Sequence, residues 1–418
     1  MNKIMTKNKR INTQQMIAAL DIGGEQNWAI FRSPKGQNCK AFPFDQTREG
    51  YDFFYKKLLE YKTIYNAPSV IVGLESTGVY GEPIIHYLYE KNVEHVLVNP
   101  VHSKRIKEIR DNSPHKSDKK DPKVVADLIQ FNCVLSTLIP RGLAADLRYL
   151  IQARERAISS RNIFVNQLQH LVWRVFPEFI RVIKHLNSKT ALHLLKYHPR
   201  PEDIFELGVE ELFLLMRKVS RGRYSYEKAK ELYDYAENSI GLKEGVSALL
   251  MEIQVLINNI ECQDQNIERF EKKIESVLSK VRQSRYILSI KGIGHIMTAG
   301  ILGELANFET INSAAEAEKI AGLNLYEISS GKHQGQKRIS KRGRQLLRKL
   351  LYFAALNVIK HDGVFRETYQ RYVDKGKPKN KALIAVARKV LRVVFALIRD
   401  AKEYDKNYYH DQRILKAA

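Results

Sequence analysis

The chain has 418 residues, more than one ordinary core accommodates, and its length suits two or three domains. Sixty-nine Lys and Arg against 46 Asp and Glu leave a net charge of +23, which predicts a polyanionic partner. No run of 18 apolar residues, no apolar h-region and only Cys39, Cys133 and Cys262, far apart, mean that no membrane span, signal peptide, disulfide framework or zinc pattern is expected, as in a reducing cytoplasm.

The first predicted element is Met16-Ile17-Ala18-Ala19-Leu20, an apolar run that enters Asp21 and then Gly23-Gly24. A short apolar run closed by a turn signal reads as a strand buried on both faces. A carboxylate at its exit sits at the sheet edge, where ligands of open α/β sheets collect, although an aspartate there also simply starts a turn. Residues 27–33 and 39–42 read as two further strands, the second closed by Pro43, which has no ladder donor. Helical spacing follows over 50–65, with Tyr51, Phe54, Leu58 and Tyr61 on one side. Residues 69–74 form a second buried strand that ends on Glu75, as the first ends on Asp21. A helix over 78–91 and a third apolar strand over 94–98 complete the run, closed by Asn99-Pro100.

Two helices with a charged link, Lys116-Ser117-Asp118-Lys119-Lys120-Asp121-Pro122, come next. Asp118 and Asp121 are three apart and share a face if helical. One aspartate there is an ordinary helix start, with Pro122 suited to the first turn; that accounts for one acid and not for both. Strand order βββαβαβα with acids after the first and fourth strands and on the last helix is the layout of an RNase H-like core. Four converging carboxylates have one physical use: an oxygen-rich cluster that binds Mg²⁺ for phosphoryl transfer and would repel itself without a cation.

Residues 143–179 read as helical and 202–236 as shorter helices. Over 243–282, Val246, Ile253, Ile260, Ile267, Ile274 and Val281 recur every seven residues, with Leu250, Ile257 and Leu278 between them. This fits a two-stranded coiled coil between copies, or an antiparallel pairing within the chain. Asp264 and Glu271 interrupt the second position, where they either set register or split the helix. Ile290-Lys291-Gly292-Ile293-Gly294-His295 opens the last region with the pattern of a helix-hairpin-helix turn, whose amides can hold a DNA phosphate at Lys291, Gly292 and Gly294, although any tight helix–helix turn can use glycine. Ala321-Gly322-Leu323 then leads to Ser329-Ser330-Gly331 and a basic run. Residues 331–360 contain nine Lys or Arg and no acid, among them Lys332, Lys337, Arg338, Lys341, Arg342 and Arg344. A solvated loop is one reading; a hydroxyl held beside a phosphodiester is the other. Basic helices with interleaved Tyr369, Tyr372, Tyr404, Tyr408 and Tyr409 close the chain, as in nucleic-acid-binding tails.

With these blocks in place the chain resembles the DEDD-type insertion-sequence transposases of family number one hundred and ten, whose relatives include the Piv-type DNA invertases. The resembling residues are Leu20-Asp21-Ile22-Gly23, Gly73-Leu74-Glu75-Ser76-Thr77-Gly78-Val79-Tyr80, Val98-Asn99-Pro100 and Lys116 to Asp121. In the second half they are Ile290 to Gly294, Ala321-Gly322-Leu323, Ser330-Gly331 and Ile339-Ser340-Lys341-Arg342-Gly343. Ser117 stands where threonine is usual, and the stretch before Ser330 lacks a proline often found there.

The resemblance implies an RuvC-like domain over 1–140 in which Asp21, Glu75, Asp118 and Asp121 bind Mg²⁺. It implies a helical, coiled-coil connection over 141–285 and a mainly α-helical transposase domain over 286–418. Ser330 takes the position of the nucleophile, with Ser329 one residue away. It also implies strand exchange between donor and target DNA through a serine–DNA intermediate, guidance by a noncoding bridge RNA, and dimers that pair into tetramers. The setting would be a bacterial or archaeal cytoplasm, close to the nucleoid. Other readings are a nuclease or junction resolvase that uses metal-activated water, an invertase without an RNA guide, a nucleic-acid scaffold, and an actin-like sugar kinase.

Overall fold

The computed structural model describes residues 14–75, 78–111, 121–136, 140–306, 308, 311–327, 335 and 337–407. The chain divides into two compact units, Met1–Leu138 and Ile139–Ala418.

The first unit is built on one mixed sheet. Its strands and helices in chain order are β1 (Met16–Asp21), β2 (Gln26–Arg32), β3 (Phe42–Asp45), α1 (Arg48–Ile64), β4 (Val70–Glu75), α2 (Gly81–Glu90), β5 (Glu94–Val98), α3 (Pro100–Asp111), α4 (Asp121–Gln130) and β6 (Val134–Ser136). The spatial order is β3-β2-β1-β4-β5-β6. β1 pairs antiparallel with β2 and parallel with β4, β4 pairs parallel with β5, and β5 pairs antiparallel with β6. Parallel neighbours need crossover helices on the faces, which is why β1 and β4 are apolar throughout instead of alternating.

Alternation along β1 assigns the two faces. Met16, Ala18 and Leu20 look toward the face where Phe31 and Phe44 meet Phe54 of α1, at ring distances of 5.9 and 5.0 Å. Ile17 and Ala19 belong with Ile30, Ile71 and Val96 to the opposite core, under Val124, Val125, Leu128 and Ile129 of α4. Gly73 lies on that same face, and a Cβ there would fall 2.1 Å from Ile129 Cδ1, so glycine lets α4 settle close to the sheet.

Two features differ from the sequence reading. Pro43 lies inside β3, opposite Trp28, and does not terminate a strand. β3 is the outer strand, so the missing N–H of Pro43 breaks no ladder bond. The last strand, β6, was not foreseen; its three residues are too few for a periodic signal.

The second unit is helical. Its helices are α5 (Gly142–Val175), α6 (Phe179–Val182), α7 (Lys189–Tyr197), α8 (Pro201–Ser220), α9 (Tyr226–Glu237), α10 (Val246–Leu278), α11 (Ser284–Leu288) and α12 (His295–Leu305). They continue with α13 (Ala314–Ala321), the two short strands β7 (Leu325–Tyr326) and β8 (Arg338–Ile339), α14 (Gln345–His361), α15 (Gly363–Asp374) and α16 (Lys379–Asp400).

α5 and α10 lie antiparallel along each other, because Arg154 pairs with Glu271 (2.6 Å) and Arg161 with Asp264 (2.6 Å). The two acids that break the heptad of α10 are thus the two that meet arginines seven residues apart on α5, fixing the register of the pair. The seam is covered within the chain: Ile253, Ile257 and Ile260 join one core with Leu168, Val172 and Phe179. Ile274 and Leu278 join a second with Leu147, Ile151, α12, α14 and α16. α12 is the centre of that second core, buried from Thr298 to Leu305. Gly303 permits its contact with α5, since a Cβ would meet the Arg148 backbone nitrogen at 2.7 Å.

Candidate active site

Asp21 and Glu75 end adjacent parallel strands, one position beyond the paired Leu20 and Leu74. Neighbouring strands are about 4.8 Å apart, so the two acids are side by side at the carboxyl edge of the sheet. By alternation both belong to the α4 face, Asp21 with Ile17 and Ala19, Glu75 with Ile71 and Gly73.

α4 brings the third acid. Asp127 near its C-terminal end pairs with Arg32 at 2.8 Å, both side chains buried, and Gln130 accepts from the same guanidinium at 2.8 Å. Arg32 stands opposite Ile17, at the start of β1. Asp121 is buried as the first residue of α4. The Arg32–Asp127 pair was missed in the sequence. Its one signal was an aspartate inside the apolar run Val124 to Ile129.

Asp118, the remaining acid, lies outside the described residues, as do Ser329, Ser330 and Lys332. Among the described residues no group of three or more His, Cys, Asp or Glu side chains is arranged to hold a metal ion. The donors at the edge are nevertheless all carboxylate oxygens, the hard set that Mg²⁺ takes.

The turn after Asp21 needs its glycine. A Cβ at Gly23 would fall 2.3 Å from the Gln26 carbonyl oxygen. The Gly23 N–H donates to Asn27 Oδ1 at 3.2 Å, and Asn27 is wholly buried.

In the second unit, β7 and β8 pair through Leu325–Ile339 and Tyr326–Arg338, and residues 327–337 connect them. That connection contains Ser329 and Ser330 in sequence. Its base is locked: Ser340 N–H donates to the Asn324 carbonyl (2.9 Å), Lys341 N–H to Gly322 (3.0 Å) and Arg344 N–H to Ile320 (2.7 Å). Gly343 approaches so closely that a Cβ would meet Gly322 N at 2.4 Å. The Ala-Gly-Leu and Ser-Lys-Arg-Gly blocks are therefore two sides of one joint.

Lys337, Arg338, Lys341 and Arg342 are exposed around this joint. Arg344 is placed differently from its neighbours. Its guanidinium is turned inward, donating to the Glu304 carbonyl and facing the Glu304 carboxylate beside Arg148 and Gln152. Burial, reinforced by Arg148, pushes its pKa down to about 10. Arg344 thus holds the fold together. Lys291 and Gly294 are exposed at the start of α12, and Gly292 (φ +97°) packs on Asn357, where a Cβ would meet backbone at 3.1 Å.

Comparison with known proteins finds transposases for both halves of the chain. A DEDD transposase domain of insertion-sequence transposases matches residues 18–177, and a domain described as transposase of the IS116/IS110/IS902 family matches residues 284–370. The chain belongs to that transposase family. It is 27% identical to the insertion element IS900 42 kDa protein of Mycobacterium paratuberculosis, over 69% of this chain and 73% of that one. It is 24% identical to the IS116 44.8 kDa protein of Streptomyces clavuligerus, over 69% and 72%. The pilin gene-inverting protein of Moraxella lacunata is 26% identical over 36% of this transposase and 49% of its own length. The transposase is accordingly an enzyme that cleaves and recombines DNA, and its DEDD domain points to a divalent metal. No helix among its described residues is long and apolar enough to cross a membrane.

Proposed function

We propose that this transposase exchanges DNA strands with Ser330 as nucleophile and Mg²⁺ held by Asp21, Glu75, Asp118 and Asp121. The observation that carries the reading is the edge itself: Asp21 and Glu75 end adjacent parallel strands, side by side. When bound, Mg²⁺ supplies positive charge to the phosphate oxygens as negative charge builds on them. The carboxylates keep that position polar and anionic, and they orient the scissile linkage toward the hydroxyl.

Ser330 Oγ forms a bond to phosphorus and gives up its proton. One bridging P–O bond breaks, and the deoxyribose hydroxyl leaves with a proton. A deoxyribose hydroxyl of the second DNA then attacks the phosphoserine, restores Ser330 and makes the new linkage. One phosphate ester replaces another at each step, so no nucleoside triphosphate is consumed. Lys337, Arg338, Lys341, Arg342 and Lys291 hold phosphates by charge, with the Gly292–Gly294 turn offering amides. Site choice is delegated to a noncoding RNA that pairs with donor and target DNA, and the working assembly is a dimer or tetramer in which carboxylates and serine from different subunits meet.

The test is Ser330→Ala beside Ser329→Ala, assayed on element-end DNA with RNA transcribed from the element. Loss of exchange in the first alone, with nucleic-acid binding retained, supports the reading. Full exchange by Ser330→Ala refutes it. A resolvase that uses activated water needs the acids and no serine, so the same variant separates the two.

A further inference from the structure

The carboxylate edge carries a polar relay that metal binding does not require. Gly23 N–H donates to Asn27 Oδ1 (3.2 Å), Asn27 Nδ2 donates to Gln46 Oε1 (2.6 Å), and Gln46 Nε2 donates to the Tyr80 carbonyl (2.7 Å). The Gln46 backbone N–H also donates to the Glu25 carbonyl at 2.8 Å. Asn27 is completely buried, and a buried amide costs free energy unless both its ends are bonded, so this relay has one arrangement. It ties together the turn after Asp21, the entry to β2, the exit of β3 and the short 3₁₀ turn Gly78–Tyr80 that follows β4. The turn after Asp21 and the 3₁₀ turn Gly78–Tyr80 are thereby held in fixed relation.

What the relay holds at its end is an open aromatic ring. A Cβ at Gly24 would lie 3.6–3.7 Å from Cε1 and Cζ of Tyr80, so the ring is backed by the diglycine turn. Tyr80 is still 54% exposed and its neighbour Val79 71% exposed. An aromatic ring anchored through its backbone, backed by the turn that follows Asp21 and open to solvent can serve as a stacking platform. Every nucleobase has a π-face, and such stacking tolerates any sequence.

We infer that Tyr80 stacks on a nucleobase flanking the scissile linkage of the DNA strand, with Asn27 and Gln46 as positioning residues for that platform. The inference rests on the reading that Asp21 and Glu75 act on a DNA backbone linkage. It adds the contact that sets which linkage enters: the base is held, and the phosphate next to it falls among the acids.

The experiment measures strand cleavage by the full-length protein, with Mg²⁺ and element-derived RNA, on duplex oligonucleotides spanning the element end. Abasic nucleotides are placed one at a time on either side of the cut. Tyr80→Ala loses about 10- to 100-fold in cleavage on intact DNA, the range that base stacking supplies. Tyr80→Leu, which keeps apolar bulk without a π-face, loses as much, and Tyr80→Phe recovers most of it. At one flanking position an abasic nucleotide costs the parent a similar factor, and Tyr80→Ala adds nothing further there. Parental cleavage by both Tyr80→Ala and Tyr80→Leu overturns the inference. So does a Tyr80→Ala loss that multiplies in full with every flanking abasic site. A parent protein that cleaves none of the DNA fails at the underlying reading instead, and is recognised because all variants then look alike.

Discussion

Asp21 and Glu75 close two neighbouring parallel strands one position past the Leu20–Leu74 pair, on the sheet face covered by α4. Asp121 heads α4, and the Arg32–Asp127 pair ties the other end of that helix to the sheet. Asp127 is thus tied into the scaffold, apart from the acids to which the proposed chemistry is assigned.

That separation predicts opposite behaviour for two aspartates. Asp21→Asn should fold as the parent does and lose roughly 10²-fold or more in cleavage, since metal-supplied charge stabilisation is worth several kcal/mol. Asp127→Asn leaves the Arg32 guanidinium buried without its counter-charge and should cost about 3 kcal/mol in stability. Unfolding midpoints and cleavage rates of the two variants distinguish the roles.

The basic joint in the second unit makes a similar distinction. Lys341→Gln and Arg342→Gln should each weaken DNA binding and lower the slope of log K against log salt by about 1, with little effect on the unfolding midpoint. Arg344→Gln should do the reverse, destabilising the fold while changing the salt slope little. Fluorescence titrations at several salt concentrations, with thermal unfolding alongside, check all three.

Glu304 sits at the middle of the buried cluster, facing Arg148 (3.7 Å) and Arg344 and accepting from Gln152 (3.2 Å). Glu304→Ala should cost about 3 kcal/mol, because it leaves buried positive charge uncompensated. Replacing Arg344 by Met in the same chain should recover part of that loss. An additive double variant would show that the two do not act on each other.

Asp264 gives a pH prediction whose sign runs against its ion pair. Its pKa is raised above the ordinary 3.8, chiefly by burial, with the Glu261 charge adding to this and Arg161 and Lys189 opposing it. A carboxyl whose folded pKa exceeds its unfolded one favours the folded state when protonated. The cost of ionising it is present above the folded pKa and vanishes below the unfolded value. Asp264→Asn should therefore be neutral or slightly stabilising at pH 7, and that difference should shrink toward zero as pH falls below about 4. Urea unfolding of both proteins across this range measures it; a variant clearly less stable at pH 7 would contradict the argument.

Much of the first unit was legible because its strands announce themselves: apolar runs ending on Asp21, Glu75 and Asn99 with little alternation to confuse their boundaries. Pro43 misled because a proline that ends a central strand is harmless in an outer one, and strand order is not a local property. The heptad over 243–282 was visible, but a seam cannot say whether its partner is another chain; Arg154 and Arg161, a hundred residues earlier, carry that information. Arg344 read as one more surface cation since charge alone does not reveal burial, which here depends on Glu304 forty residues away. The Asn27–Gln46 relay left no trace, as single amides in sequence carry no period or spacing.

The most direct measurement is to trap the protein on element-end DNA and map the covalently linked peptide by mass spectrometry, with Mg²⁺ present or chelated. One adduct is expected, on Ser330, that forms only with the divalent ion and is absent from both Ser330→Ala and Asp21→Asn. Exchange that proceeds with no protein–DNA adduct, or an adduct on a residue outside the 327–337 connection, would contradict it.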